Sequence, residues 1–472
     1  MTNLTKASET AQPEETSSFS LDVERRGIRD SIVEYFGRLR TGEPGALPSV
    51  LGLVVLAVIF SQVSSRFLSR NNVGNLPGQG AYIAIIGLGL VFVLLLGEID
   101  LSAGTTGGMC AGFAGQAIFS KNLHKAISGG LFWSLIVALV AAILLALWLK
   151  AYTGAVVVAI GLVIVATNLT QHVVWALLAA VALGAAVGIL NGWLVAKVGI
   201  PSFIVTLALF LAWQGVLLFA VNSQPIGTTN YSFWYGLTSD NLTPAWSWVF
   251  TIVVIGGYLV YTLLKSVTAH RRGLAADTLS LVLFRGGVLA AIGIVITVLA
   301  NQNRATNSFV KNQGLPWAAV IPVTLMIVCT IALTKTSWGR HLYATGGNAE
   351  AAHRAGIDVV HIKVTAFTIC SAFGALGGVF LASNSHSVSL DLGAGNILLF
   401  SVAAAVIGGT SLFGGRGKPR DAIIGALVIV IIPNGLGLKP SLPPQNQQII
   451  TGAVLLVAAA VDAMTRRRSR IR

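Results

Sequence analysis

Two carboxylates and a hydroxyl at alternate positions, Glu98, Asp100 and Ser102 in the string GEIDLSAG (Gly97 to Gly104), interrupt an otherwise continuous apolar stretch. A charged side chain at the centre of a bilayer costs about 2.5 to 3.5 kcal/mol on insertion scales, so acids placed there line water, pair, or stay protonated. Broken helices at that depth are tolerated only against a cavity or other protein. The trio therefore reads as part of a translocation pathway, able to hydrogen-bond a polyhydroxylated solute or to relay protons. A second reading stays open beside it. Ala81 to Gly97 already spans about 25 Å at 1.5 Å per residue, so the acids would then cap the next helix at the membrane interface.

Three further motifs carry polar or glycine signals. In VIGGTSLFGGRG (Val406 to Gly417), Gly408, Gly409, Gly414 and Gly415 surround Thr410 and Ser411. This composition allows close backbone approach at the end of a span, a gate or packing site. It is no phosphate-binding loop, because the Gly-Lys-Ser/Thr signature is absent. In NGWLVAKVGIPSF, from Asn191, Pro201 falls at a helix start, where its missing N–H costs nothing, and the segment reads as a hinge between spans.

The last motif is the polar break Lys335 to Lys363, KTSWGRHLYATGGNAEAAHRAGIDVVHIK. Gly346, Gly347 and Asn348 predict a turn into a helix that Asn348 caps, and AEAAHRA propagates it. Gly356 stops it. Glu350 and Arg354 complement the helix dipole and form an i,i+4 pair of the favourable order. The expected product is one short, alanine-lined helix. Such a helix fits a partner's cleft, and an ordinary solvated loop helix is the alternative.

The elements that position these motifs follow from composition. With 54% hydrophobic residues, 10% charged and a mean hydropathy of +0.78, the chain is an integral membrane protein. The fold expected is an all-α, polytopic transmembrane bundle of about fourteen spans, allowing ~20 residues per crossing. Candidates run from Leu51–Phe67 and Ala81–Gly97 through Gly154–Asn168, the weakest, to Ala422–Leu438 and Gln447–Val461. Fifty-two glycines fit helices that pack backbone to backbone in lipid.

Residues 1–47 read as a polar, disordered leader without a cleavable signal, ending in an amphipathic surface helix at Leu21 to Arg40. Residues 48–463 form the transmembrane domain and 464–472 a basic tail. Placing both termini in the cytoplasm puts roughly 24 Lys and Arg inside against roughly 7 outside, and it puts the polar break inside too. The net charge of +14 follows this topology rather than a nucleic-acid surface. The loop Asn222 to Ala245 falls outside, with Trp234, Trp246 and Trp248 as interface anchors. Cys110, Cys329 and Cys370 stand alone and the histidines are scattered, so no metal site, cofactor or catalytic constellation is expected.

The string GRHLYATGGNAEAAHRAGI resembles the cytoplasmic coupling loop of sugar-specific permease subunits of ABC importers, the ribose and xylose type. The IDLS core (Ile99 to Ser102), VIGGTSLFGGRG and the Asn191 segment resemble the same family, in the right order, over most of Asn71 to Asp462. Glu98 and the region Trp246 to Leu315 are similar to the xylose branch, the latter to its additional helix pair. Two departures stand out. Leu131 to Gln171 is longer than the family pattern, and Leu398, Leu399 and Phe400 replace an acidic Glu-Leu-Asp, which voids any role for acids on that helix.

The resemblance implies a plasma-membrane permease that imports a monosaccharide, xylose or a related sugar. It would work as a homodimer with a cytoplasmic ATP-binding subunit and an extracytoplasmic sugar-binding protein. Gly339, Arg340, Gly346, Gly347, Asn348, Glu350, Ala351, Ala352, Arg354 and Gly356 would then couple to the ATPase, since the chain itself has no Walker motif. Two other classes compete: an ion-coupled secondary transporter using Glu98 and Asp100 as a proton relay, and a membrane scaffold or receptor without transport.

Overall fold

The computed structural model describes residues 47–272, 278–305, 311–439, 441–443, 445–453 and 456. The leader helix expected at Leu21 to Arg40, the basic tail and the end of the last candidate span lie outside them. Helices follow one another almost without interruption. They are α1 (Leu47–Val63), α2 (Arg70–Leu95), α3 (Ala103–Ser120), the single turn α4 (Leu123–Ala126), α5 (Gly129–Trp148), α6 (Tyr152–Ala166), α7 (Val173–Trp193), α8 (Ser202–Ala220) and the short α9 (Ser232–Ser239). Next come α10 (Pro244–Arg271), α11 (Leu279–Ala300), α12 (Trp317–Lys335), α13 (Ser337–Gly347), α14 (Ala349–Arg354), α15 (Val359–Asn384), α16 (Asn396–Gly408) and α17 (Pro419–Gly437). Two-residue strands β1 (Ile226–Gly227) and β2 (Ser387–Val388) pair antiparallel, Ile226 opposite Val388.

Among the described residues nine helices are long and apolar enough to cross a membrane, and three shorter apolar helices join them. The expected span at Gly154 is one of these three, as α6. α3, expected as a span, is in neither group. Its sequence AGTTGGMCAGFAGQAIFS is small and glycine-rich, and it is buried almost throughout rather than facing lipid.

By contacts the described chain divides into two compact units. One is 248–296, the greater part of α10 and α11, where Gly286 backs onto Leu259, and a Cβ at Gly293 would come within 2.6 Å of Ile255 Cδ1. The other holds everything else. At the heart of this larger unit α2 is buried from Gly78 to Leu95, save two residues, and α15 lies against it. Gly184, Gly188 and Gly192, spaced four apart on α7, meet the α15 backbone at Ser371, Phe367 and Val364, so the two helices approach more closely than side chains would allow. The stretch Leu131 to Gln171 holds two helices, α5 and α6. It leans on α7 through Gly161 against Ala182 and Gly154 against Ile189.

Two sequence expectations change here. α2 begins at Arg70, eleven residues before the expected span, and runs through Pro77. Ser69 caps it by accepting from the Asn72 amide, and Asn72 and Asn434 exchange side-chain hydrogen bonds at 2.9 Å, so tertiary contacts carry the helix past its proline. Trp234 is no interface anchor. It is fully buried and donates from Nε1 to the Val379 carbonyl at 2.9 Å, whereas Trp246 is 62% exposed.

Candidate functional site

The break between α2 and α3 is a seven-residue segment, 96–102, whose second residue, Gly97, is at φ +74°. Asp100 is wholly enclosed. Its Oδ1 accepts from the Ser102 amide at 2.9 Å and from Ser102 Oγ at 2.7 Å, and its Oδ2 accepts from Ser371 Oγ on α15 at 3.4 Å. Ser102 Oγ in turn accepts from Asn191 Nδ2 on α7 at 3.2 Å. A buried carboxylate is tolerated only when hydrogen-bonded, and here the donors are hydroxyls and an amide with no cation among the described residues. In this arrangement neither Asp100 nor Ser102 meets solvent; both tie the break to the packed helices.

The segment around Pro201 clamps the same break from another side. α7 ends in a π turn, Leu194–Val198, stopped by Gly199, and Pro201 then precedes α8. Ser202 Oγ accepts from the Ile99 amide at 3.3 Å, and Thr206 Oγ1 donates to the Ile99 carbonyl at 3.3 Å. Asn191, 89 residues from Ser102, and the Pro201 turn, whose Ser202 and Thr206 lie 103 and 107 residues from Ile99, thus converge on Ile99 to Ser102.

Glu98 behaves differently from Asp100. It is 18% exposed and forms an ion pair at 2.6 Å with Lys363, 265 residues away near the start of α15. Lys363 closes the polar break, which holds the expected short helix, α14, and before it a second helix, α13, that takes in Gly346 and Gly347 where a turn was expected. Thr336 caps α13 by accepting from the Gly339 amide at 3.0 Å, and Asn348 caps α14 by accepting from Ala351 at 2.9 Å. Gly356, at φ +84°, follows α14. Glu350 and Arg354 pair on the surface, and from Gly347 to Gly356 only Ala352 is buried. α13 is anchored, with Trp338 Nε1 donating to Thr365 Oγ1 at 2.8 Å and Tyr343 Oη donating to the Gly417 carbonyl at 2.7 Å.

Three of the four motifs meet at one point. The Gly415 amide donates to the Leu95 carbonyl at 2.8 Å. Gly346 lies on that same carbonyl, where a Cβ would overlap the oxygen and reach 3.0 Å from the Gly415 nitrogen. Gly414, at φ +84°, packs on the Gly346 carbonyl and the Gly97 amide. This is backbone against backbone, a contact that side chains would prevent.

Behind the junction, Gly408 presses on the Asp421 backbone, and Gly409, at φ +129°, ends α16. Thr410 Oγ1 donates to Asp421 Oδ2 at 3.4 Å, and the Ser411 amide donates to the Arg416 carbonyl at 2.8 Å. Leu398, one of the positions that departs from the acidic pattern, is buried against Gly104, while Leu399 is 61% exposed. Sequence reasoning missed Lys363, Ser202, Thr206, Ser371 and Tyr343 as partners. The only available signal was the ionic character of Lys363 at the edge of an apolar helix.

Residues 151–459 match the family described as branched-chain amino acid transport system / permease component. The chain belongs to this permease family. Among curated relatives, the xylose transport system permease protein XylH of Haemophilus influenzae is 29% identical over 428 residues, 89% of this chain and 96% of its own. XylH of Escherichia coli K12 is 30% identical over 424 residues, 89% of this chain and 92% of its own. The ribose import permease protein RbsC of the same strain is 26% identical over 419 residues, with 88% and 92% covered. No solved structure matches. The resemblance read from the motifs therefore holds: this is a polytopic membrane permease, a transport protein and not an enzyme.

Proposed function

We propose that this permease is the membrane subunit of an ABC importer that carries a monosaccharide, xylose or a related sugar, into the cell. A separate cytoplasmic ATP-binding subunit drives it and an extracytoplasmic sugar-binding protein supplies it. Two copies surround the path in the plasma membrane, both termini in the cytoplasm. The observation that carries the reading is the continuous contact from the exposed helix α14 to the pathway residues. A push on α14 moves α13, and Gly346 bears on the Leu95 carbonyl at the end of α2. The break holding Glu98, Asp100 and Ser102 begins directly after that carbonyl.

In this mechanism Gly339, Arg340 and the stretch Gly346 to Gly356 receive the partner's motion. The Glu98–Lys363 pair and the Asp100–Ser102–Asn191 network hold the break in its present state, and Gly408 to Gly415 let the α16 end follow it. Glycine contacts suit this role because they slide without unlocking side chains. Deleting Ala349 to Ala355 is expected to abolish sugar uptake while leaving membrane insertion intact. Unchanged uptake by that variant would sink the proposal.

One observation favours a second reading. Asp100 is an enclosed acid without a cation among the described residues, as a proton-coupled carrier would need. Uptake that survives loss of ATP but collapses with an uncoupler identifies that carrier instead.

A further inference from the structure

At the end of α2 remote from Leu95 lies a cavity of about 290 Å³. From Gln79 to Leu95 the helix places it ~24 Å from the junction, on the opposite side of the bundle. Its walls are polar and almost uncharged: Asn75 and Gln79 of α2, Thr238 at the end of α9, Asn384 and His386 at the end of α15, and Arg304. No carboxylate is among its described lining residues.

Several of these lining residues carry hydrogen-bonding groups that the described protein does not use. Arg304 is 8% exposed, and its stem lies along Gly74. Its Nη2 donates to the Gly314 carbonyl at 2.9 Å, to Asn241 Oδ1 at 3.2 Å and to Asn312 Oδ1 at 3.3 Å, whereas Nε and Nη1 have no acceptor among the described residues. Gln79 Oε1 accepts from Asn434 Nδ2 at 3.2 Å, which leaves the Gln79 amide nitrogen to donate. The Asn384 amide makes no hydrogen bond among the described residues, although its nitrogen lies beside Gly78. His386 Nδ1 donates to the Ser383 carbonyl at 2.9 Å, so a neutral ring keeps Nε2 as an acceptor.

Donors and acceptors thus share a concave space close to the lower end of the size range of small-molecule sites. Each hydroxyl of a polyol both donates and accepts, and amides answer in both senses. An arginine whose Nη2 already shares three oxygens has both of its two-donor edges engaged, which makes it a poor bidentate clamp for a partner's carboxylates and leaves Nε–H and Nη1–H as single donors for hydroxyls. We propose that this pocket is a monosaccharide site within the permease, which receives the sugar at the entry end of the bundle before the junction moves. The proposal rests on the sugar-importer reading and adds to it a loading site on this chain itself.

The test uses the full chain in lipid nanodiscs, with labelled D-xylose and D-ribose as separate probes in equilibrium binding. Saturable binding of at least one sugar is expected. Gln79→Leu and Asn384→Leu should each weaken it about three- to tenfold, and together tenfold or more, as expected for lost neutral hydrogen bonds. Unchanged thermal midpoints would show that these variants remain folded. Binding of neither sugar, or equal binding by the variants, overturns the pocket assignment. So does a result in which the variants bind sugar normally but fail to capture the soluble sugar-binding protein, which makes the cavity a protein-docking site. Uptake of the same sugars by native cells with and without the chain is scored in parallel. Uptake that does not depend on the chain refutes the importer reading, whereas chain-dependent uptake with no nanodisc binding refutes the pocket alone.

Discussion

Replacing Gly346 by alanine adds one methyl group where α13, the helix before the proposed coupling helix α14, meets the end of α2. Its Cβ would overlap the Leu95 carbonyl oxygen and sit 2.8 Å from the Leu95 carbonyl carbon and 3.0 Å from the Gly415 nitrogen. All three neighbours are backbone, so no side chain can rotate away. Overpacking of this kind costs about 1 to 3 kcal/mol. Prising Gly415 from Leu95 adds about 0.5 to 1.5 kcal/mol for the lost hydrogen bond. Alanine's better helix propensity returns at most about 1 kcal/mol, so a net loss of roughly 0.5 to 4.5 kcal/mol is expected. That loss is confined to the junction, because the buried length of α2 and its packing on α15 are untouched.

The comparison is the adjacent Gly347→Ala, where nothing lies within 4 Å of the new Cβ. The assay pairs thermal unfolding in detergent with uptake of labelled D-xylose or D-ribose by cells that depend on the chain. Gly346→Ala should lower the midpoint and reduce uptake at normal membrane levels, and Gly346→Val should do both more severely. Gly347→Ala should leave the midpoint unmoved. Equal midpoints and equal uptake for Gly346→Ala and Gly347→Ala would refute the idea that this contact transmits force.

Three other expectations follow from the same contacts. Glu98→Gln and Lys363→Met should show coupling of about 1 to 3 kcal/mol in a double-mutant cycle on unfolding, since the pair is mostly buried; additive effects would mean it contributes nothing. Asp100→Ala leaves Ser102 and Ser371 without their acceptor and should destabilise by about 1 to 3 kcal/mol, with Asp100→Asn, which keeps one acceptor oxygen, milder; equal losses would contradict the network. Gly188→Leu drives a side chain into the α15 backbone at Phe367 and Thr368, so the folded yield of the permease should fall sharply, while Gly215→Ala on the open face of α8 should leave it unchanged.

Features set by neighbours in the chain were legible in the sequence. Membrane spans were readable because hydrocarbon demands long apolar runs whatever the helices pack against, and α10 and α11 were readable on the same ground. The α14 cap at Asn348, its stop at Gly356 and the Glu350–Arg354 pair were readable because they are contacts three to eight residues apart. Span count was less so, since α3 is made of small residues whose burial comes from surrounding helices rather than from its own hydropathy.

Only the tertiary structure decided what the polar groups face. Glu98 and Asp100 are two residues apart and chemically alike, yet one reaches Lys363 at the edge of the bundle and the other is sealed among Ser102, Ser371 and, through Ser102, Asn191. The Gly346–Leu95–Gly415 contact and the Arg304 pocket have no local signature either. Each joins residues far apart in sequence through backbone approach or convergent side chains, and helix packing, not periodicity, sets which distant residues touch. The sequence thus determined which segments cross the membrane and which carry polar groups, and three-dimensional packing decided which of those groups meet.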